Sequence, residues 1–339
     1  MLRNMLPIHP ALSIRLLPRR AAVLAFVACA TACALVGCGE HGAGTRGEGA
    51  GLSTAGEGKP SVVATTPVVA DLVRAIAGDR AEVTALITPG VDPHLWAPTR
   101  TEVLQILEAD AVFMNGLLLE GRAGDAFARV EVSGRPVVRL AETLPKADLL
   151  TDAENPSRFD PHVWMDPLLW ARTAPAVRDA LVKVDPAGKE EFDRNLAAFE
   201  DLARELDREC ALILSAVPPS ARVLVTAHDA FGYFGKRYGL ELRGIQGIST
   251  ESEPSLAAIE SLVAEMSERR VPALFAESTV SDRSVRAVID GCAARGHEVL
   301  LGETLFSDSL GRAGTPEGTW KGMMLHNARS IARALGGGS

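Results

Sequence analysis

The sequence predicts an α/β protein of two lobes with parallel sheets, joined by one long helix. Three observations carry this. From Ser61 onward, strand-like and helix-like runs alternate, the pattern of parallel strands with helices on both faces of the sheet. The alternation breaks between Asp185 and Val217, where Phe192, Leu196, Phe199, Leu202, Leu206 and Cys210 recur at spacings of 4, 3, 3, 4 and 4. That is one apolar stripe on a helix. After Val217 the alternation resumes. The implied organisation is a leader over 1–37, a tether over 38–60, a lobe over 61–184, a connecting helix over 185–217 and a second lobe over 218–339.

The leader comes first. It holds Arg3, Arg15, Arg19 and Arg20 and no acid, then the apolar run "AAVLAFVACATACALV". Sixteen residues fall short of the ~20 that span a bilayer, and a basic start with a small-residue end reads as a secretory signal peptide. The run ends in "LVGC", Leu35 to Cys38, which resembles the bacterial lipoprotein box and makes Cys38 the lipidated first residue of the mature chain. Arg19-Arg20 raises twin-arginine export, but the flanking pattern is missing. Loss of the four leader arginines takes the net charge from −8 to −12. An acidic mature protein is a poor nucleic-acid binder and a better host for a cation. Gly39 to Pro60 has eight glycines and almost no apolar residues, so it cannot offset its ordering entropy and reads as a flexible tether.

The first lobe opens with the strand "SVVATT" and the helix "PVVADLVRAIAG". The strand "AEVTALI", the helix "TRTEVLQILEA" and the strands "DAVFMNG" and "GRPVVRL" follow. Beyond the long helix come the strand "ARVLVTA", the helix "HDAFGYFGKRYG", the strand "LELRGIQG" and the helix "SLAAIESLVAEMSERR". Two further strands, "VPALFAES" and "HEVLLGE", precede a last helix in "GTWKGMMLHNARSIARAL". Cys210 and Cys292 lie in helix-like segments and default to buried thiols, a bridge between them being left open.

The chain writes Asp-Pro-His-aliphatic-Trp twice, as "DPHLW" at Asp92 and "DPHVW" at Asp160. Pro stiffens each approach, so the repeat suggests two imidazoles presented in the same way. Of seven histidines, His9 leaves with the leader and His41 sits in the tether, while His297 and His326 read as surface or packing residues. His94 follows one strand, His228 follows another and opens a helix, and His162 lies in a Pro-containing loop. Asp308 follows "HEVLLGE". Ligands of open α/β sheets bind beyond the carboxyl ends of the strands, and a crevice between lobes would bring all four together. Three imidazoles and a carboxylate suit a transition metal, although spacings of 68, 66 and 80 residues match no local metal motif.

"PGVDPHLWAPT", "DPHVWMDP", "VTAHDAFGYFGKRYGL", "GIQGISTESEPS" and "FSDSLGRAGTPEGTWKGMMLHN" together resemble the periplasmic metal-binding receptors of zinc and manganese ABC importers, the TroA-like cluster, from about Ser61 to Leu335. The resemblance implies a zinc or manganese ion as transported ligand, held by His94, His162, His228 and Asp308 in the cleft between lobes joined by a rigid helix. It implies a non-enzymatic, monomeric lipoprotein of the periplasm or cell surface that partners an importer permease, with no nucleic acid. Asp92 and Asp160 are expected to orient the histidine rings. Glu277 is expected near the site or at the interlobe rim. Trp96 and Trp164 shield the site or pack the core. Between Leu117 and Phe159 there is no histidine, unlike the His- and acid-rich loop of zinc-specialised members. Manganese-specialised members place Glu where His228 stands. A secreted zinc metallohydrolase with Glu277 or Glu303 as base is a rival reading, weakened by the absence of His-Glu-x-x-His and Gly-x-Ser-x-Gly. A metal-binding surface adhesin is another. Imidazoles of ordinary pKa predict metal affinity that falls below about pH 6.

Overall fold

The computed structural model describes residues 58–152 and 155–336. The leader, Cys38 and nearly all of the tether lie outside them. No described helix is long and apolar enough to cross a membrane.

The first sheet is parallel and four-stranded. It contains β1 (Ser61–Ala64), β2 (Glu82–Ala85), β3 (Ala111–Met114) and β4 (Val137–Arg139) in the order β2-β1-β3-β4. Its helices are α1 (Pro67–Ala77), α2 (Arg100–Glu108), α3 (Gly124–Val132), α4 (Pro167–Ala171) and α5 (Ala174–Val184). Local chemistry starts them. Thr66 caps α1 by accepting from the Val69 amide, with Pro67 in the first turn. Thr99 and Glu102 form a reciprocal capping box on α2, satisfying amides that a helix start leaves unpaired.

The long helix is α6 (Lys189–Leu214), 26 residues and about 39 Å at 1.5 Å per residue. It begins later than the segment 185–217 suggests because Pro186–Gly188 forms a separate 3-10 turn before it. Ala203 and Leu214 join Phe192, Phe199, Leu206 and Cys210 on the buried face, while Leu196 and Leu202 are only half-buried.

The second sheet copies the first. β5 (Val223–His228) pairs with β6 (Glu241–Gln246), and β7 (Ala273–Leu274) with β8 (Leu300–Leu301), all in parallel. A parallel bridge between Thr226 and Phe275 joins the pairs, with the Phe275 amide donating to Val225 O at 2.9 Å. The order becomes β6-β5-β7-β8, the same path as in the first sheet. Its helices are α7 (Gly232–Tyr238), α8 (Leu256–Arg269), α9 (Arg283–Ala294) and α10 (Trp320–Ala334).

Side chains alternate across the strands and feed different cores. Val62, Ala64 and Phe113 face inward, with Leu224 and Phe275 of the second sheet, onto a core shared with Phe192, Phe199 and Leu206 of α6 and Trp320 and Ile331 of α10. Val63 and Val112 face an outer cluster with Trp96, Ile106 and Phe127. Val225 and Leu274 face another with Met266, Val285 and Cys292. The central core therefore runs unbroken from one sheet to the other. Helix α6 packs on α1, α4, α5 and α10. Phe199 stacks on Trp320 at 5.4 Å, and the Asp207 carboxylate receives two hydrogen bonds from Arg237 of α7. Cys210 and Cys292 are free, buried thiols in separate cores, which closes the question of a bridge.

Candidate metal centre

Each Asp-Pro-His segment is a tight Asx turn. Asp92 Oδ1 accepts from the His94 amide at 2.8 Å, and Asp160 Oδ1 accepts from the His162 amide at 2.9 Å. Between Asp and His, Pro fixes φ and contributes no competing donor. His94 thus projects from the loop after β2, and His162 from the loop after β4. His228 is the last residue of β5 rather than the start of a helix, since α7 begins only at Gly232. Asp308 sits in the loop after β8.

These four side chains, up to 214 residues apart in the chain, meet in one place. One ligand atom from each lies within 4.8 Å of the others. All four residues are buried. The three imidazole centroids form a nearly even triangle with sides of 5.4, 5.4 and 5.9 Å. His162 Nε2 and His228 Nε2 each lie 3.1 Å from an Asp308 oxygen, and His94 Nε2 lies 3.8 Å away. Despite this proximity, none of the three Nε2 atoms and neither Asp308 oxygen makes a hydrogen bond. They point at a common centre rather than at one another. Five unpartnered buried polar atoms would be costly in a structural cluster. A transition metal at ~2.0–2.1 Å from one donor of each residue would satisfy four of them, and drawing those four to the roughly 3.3 Å edges of such a tetrahedron moves each by about 1 Å or less; the second Asp308 oxygen is then free to make the site five-coordinate.

A second layer sets the rings. Asp160 Oδ1 lies 2.7 Å from His162 Nδ1, which leaves Nε2 as the free ligand atom. Glu277, 4% exposed, does the corresponding work for His228. Its Oε1 accepts from the His228 amide at 2.8 Å, and its Oε2 lies 2.6 Å from Nδ1, off the line of an ideal hydrogen bond. Glu277 thus lies behind His228, buried, and not on an exposed interlobe rim. Asp92 does not reach the His94 ring. Its second oxygen is taken by Thr250 Oγ1, which donates at 2.6 Å.

The charges follow from this layering. Burial, helped by the neighbouring His162 and His228 rings and against the pull of Asp308, pushes the His94 ring down to about 3. Burial also opposes charge on His162 and His228, but carboxylates outweigh it. Asp160 and Asp308 push His162 up to about 9, and Glu277 and Asp308 raise His228 well above the usual imidazole range. Burial works against the Asp308 carboxylate too, yet His228 and His162 hold it ionised, well below the ordinary carboxylate range.

Trp164 stands edge-on to His162 at 5.3 Å, and its indole N–H donates to Ser307 O at 2.9 Å. It therefore both shields the site and locks the Asp308 loop. Trp96 packs in the outer core. His297 and His326 each contact a backbone carbonyl, at 2.8 and 3.0 Å. Several supporting residues carried no sequence signal. Glu120 is fully buried and accepts from Thr65 Oγ1 and the Asn115 and Gly116 amides, while Asn115 Nδ2 donates to Pro161 O beside His162. Gly232 did have a signal, inside "HDAFGYF". A Cβ there would stand 2.6 Å from Asp160 Oδ2, so only glycine lets α7 close over the carboxylate that orients His162.

Two similar α/β halves that converge loops from their strand ends on one buried, nitrogen-rich donor set define a two-lobed metal-binding receptor. Comparison with known proteins makes the family specific. The model of the family described as "ZnuA: Zinc-uptake complex component A periplasmic" matches residues 62–334, and the chain belongs to that family. It is 42% identical to the zinc-binding protein TroA of Treponema pallidum, over 83% of this chain and 90% of that one. It is 36% identical to the manganese-binding lipoprotein MntA of Bacillus subtilis, over 89% and 95%. The solved structure of the Treponema protein superposes with a TM-score of 0.79, covering 82% of this chain and 99% of that one.

Proposed function

We propose that this protein is an extracytoplasmic receptor lipoprotein that captures one zinc or manganese ion and hands it to the permease of an ABC importer. The observation that carries this reading is the convergence of five buried, unpartnered donor atoms from His94, His162, His228 and Asp308. Those four are the metal ligands, and Asp160 and Glu277 fix the rings of His162 and His228. The ion is cargo and undergoes no reaction. Glu277, a hydrolase's candidate base, is engaged with His228, and Glu303 accepts from Ser330 and Arg333. Relatives named for zinc and for manganese binding support the same role. A lipid on Cys38 holds the chain to the membrane through the glycine-rich tether. The lobes, 61–184 and 218–339 around the segment 185–217, act as a monomer.

The test is elemental analysis and zinc titration of the tag-free protein, with one ion expected per chain. Alanine at any one of His94, His162, His228 or Asp308 should weaken zinc at least tenfold, about 1.4 kcal/mol. Unchanged affinity in two of the four variants rejects the ligand set.

A further inference from the structure

The two Asp-Pro-His segments differ in one respect. In the second, the carboxylate that caps the turn also orients its own histidine ring, through Asp160 Oδ1 and His162 Nδ1 at 2.7 Å. In the first, the carboxylate has no such contact. Asp92 Oδ1 holds the His94 amide, and Asp92 Oδ2 reaches across the cleft to Thr250 Oγ1 at 2.6 Å. Thr250 is buried and lies in the second-lobe loop after β6. A second tie joins the same pair of lobes nearby, where the Gly90 amide donates to Ser309 Oγ at 3.1 Å, one residue beyond Asp308. His94 also makes the longest of the three contacts to Asp308, 3.8 Å. It lines the cavity of about 180 Å³ at the cleft mouth together with Ile248 and Ser249, the two residues before Thr250.

We propose that Thr250 is a positioning residue for metal capture: by holding Asp92 across the cleft it places His94, and so makes His94 the ligand that closes last and opens first. The proposal rests on the reading above that His94 binds the ion. A hydroxyl donating to a carboxylate is a charge-assisted bond. It acts only while the two loops are together, so its loss shows in the rate at which the ion leaves. Capture by His162, His228 and Asp308 does not depend on it.

The experiment measures zinc dissociation by stopped flow into excess chelator for the wild type, Thr250→Val, Thr250→Ser, His94→Ala and the Thr250→Val/His94→Ala double variant. Valine keeps the shape of threonine and removes the donor. It should speed dissociation roughly tenfold, the scale of one hydrogen bond to a charged group, with the association rate unchanged. Serine should restore the wild-type rate. In the His94→Ala background the valine should add nothing, because the effect passes through His94. Wild-type dissociation in Thr250→Val, beside weakened binding in His94→Ala, overturns the proposal and leaves the ligand assignment intact. An equal acceleration in both backgrounds also overturns it, as a general loosening. Unweakened zinc binding in His94→Ala instead overturns the ligand assignment on which the proposal stands.

Discussion

Metal affinity should depend steeply on pH through the neutral range, and the structure sets the slope. In the metal-free protein, Asp160 and Asp308 outweigh burial and push the His162 ring up to about 9. Glu277 and Asp308 do the same for His228. At pH 7.5 both rings therefore carry a proton in most molecules. A metal needs the neutral ring, so binding expels about two protons. The sign follows from competition. Protons bound to the free protein and lost on binding make affinity rise with pH, and the rise ends only as the rings deprotonate, for His162 near 9. Each expelled proton is worth about tenfold, or about 1.4 kcal/mol, per pH unit. Two protons give roughly a hundredfold loss, about 2.7 kcal/mol, from pH 8 to pH 7. His94 contributes nothing here, since burial keeps it neutral down to about 3. Ordinary imidazoles would instead hold affinity level down to about pH 6.5, so the carboxylates behind the rings move the decline well up into the neutral and alkaline range. Competition against a chelator of known pH dependence, at half-unit steps from pH 6.5 to 8.5, gives the slope. Calorimetry in two buffers of different ionisation enthalpy counts the protons. Glu277→Gln should reduce both figures toward one. A level affinity between pH 7 and 8 with no proton release would refute the reasoning, because it would show that the carboxylates behind the rings do not control them.

Three further outcomes are expected. Zinc should bind more tightly than manganese in vitro, because three nitrogens and one carboxylate suit tetrahedral zinc and manganese lies lowest in the divalent series; manganese displacing equimolar zinc at pH 7.5 would contradict the ligand set. Cys38→Ala should move the protein from the membrane fraction to the soluble one, and a variant that still sediments with membranes rejects the anchor. Phe199→Ala should cost about 3–5 kcal/mol in urea unfolding of the metal-free protein, since Phe199 is buried and stacked on Trp320; a loss below about 1 kcal/mol would mean that this junction of α6 and α10 is not well packed.

The sequence made the architecture legible because its signals are local. Alternating apolar runs located the strands, and the stripe from Phe192 to Cys210 located α6. The lengths of β7 and β8 were not legible. "VPALFAES" and "HEVLLGE" look like full strands, yet each keeps only two residues in regular pairing, and the pairing beyond them survives as single bridges, Phe275 with Thr226 and Glu277 with Leu305. The two Asp-Pro-His turns could be read from five residues each. What Asp92 does with its second oxygen could not, since its partner Thr250 lies 158 residues away. Glu277 was legible as an acid after a strand but not as the group behind His228. That role exists only once β5 and the segment after β7 lie side by side.

The unbroken core that α6 shares with both sheets bears on traffic at the membrane. A body with a hinge can advertise its cargo by changing outline. Here Val62, Phe192, Leu224 and Trp320 pack into one continuous interior, so loaded and empty molecules are expected to share nearly the same silhouette. Under the proposed role, an importer that recognises the outline must also accept empty carriers. Uptake would then saturate, and finally decline, as the ratio of carrier to available ion rises. The cell's safeguard would lie in how many copies it makes, and in how rarely an empty one lingers at the gate.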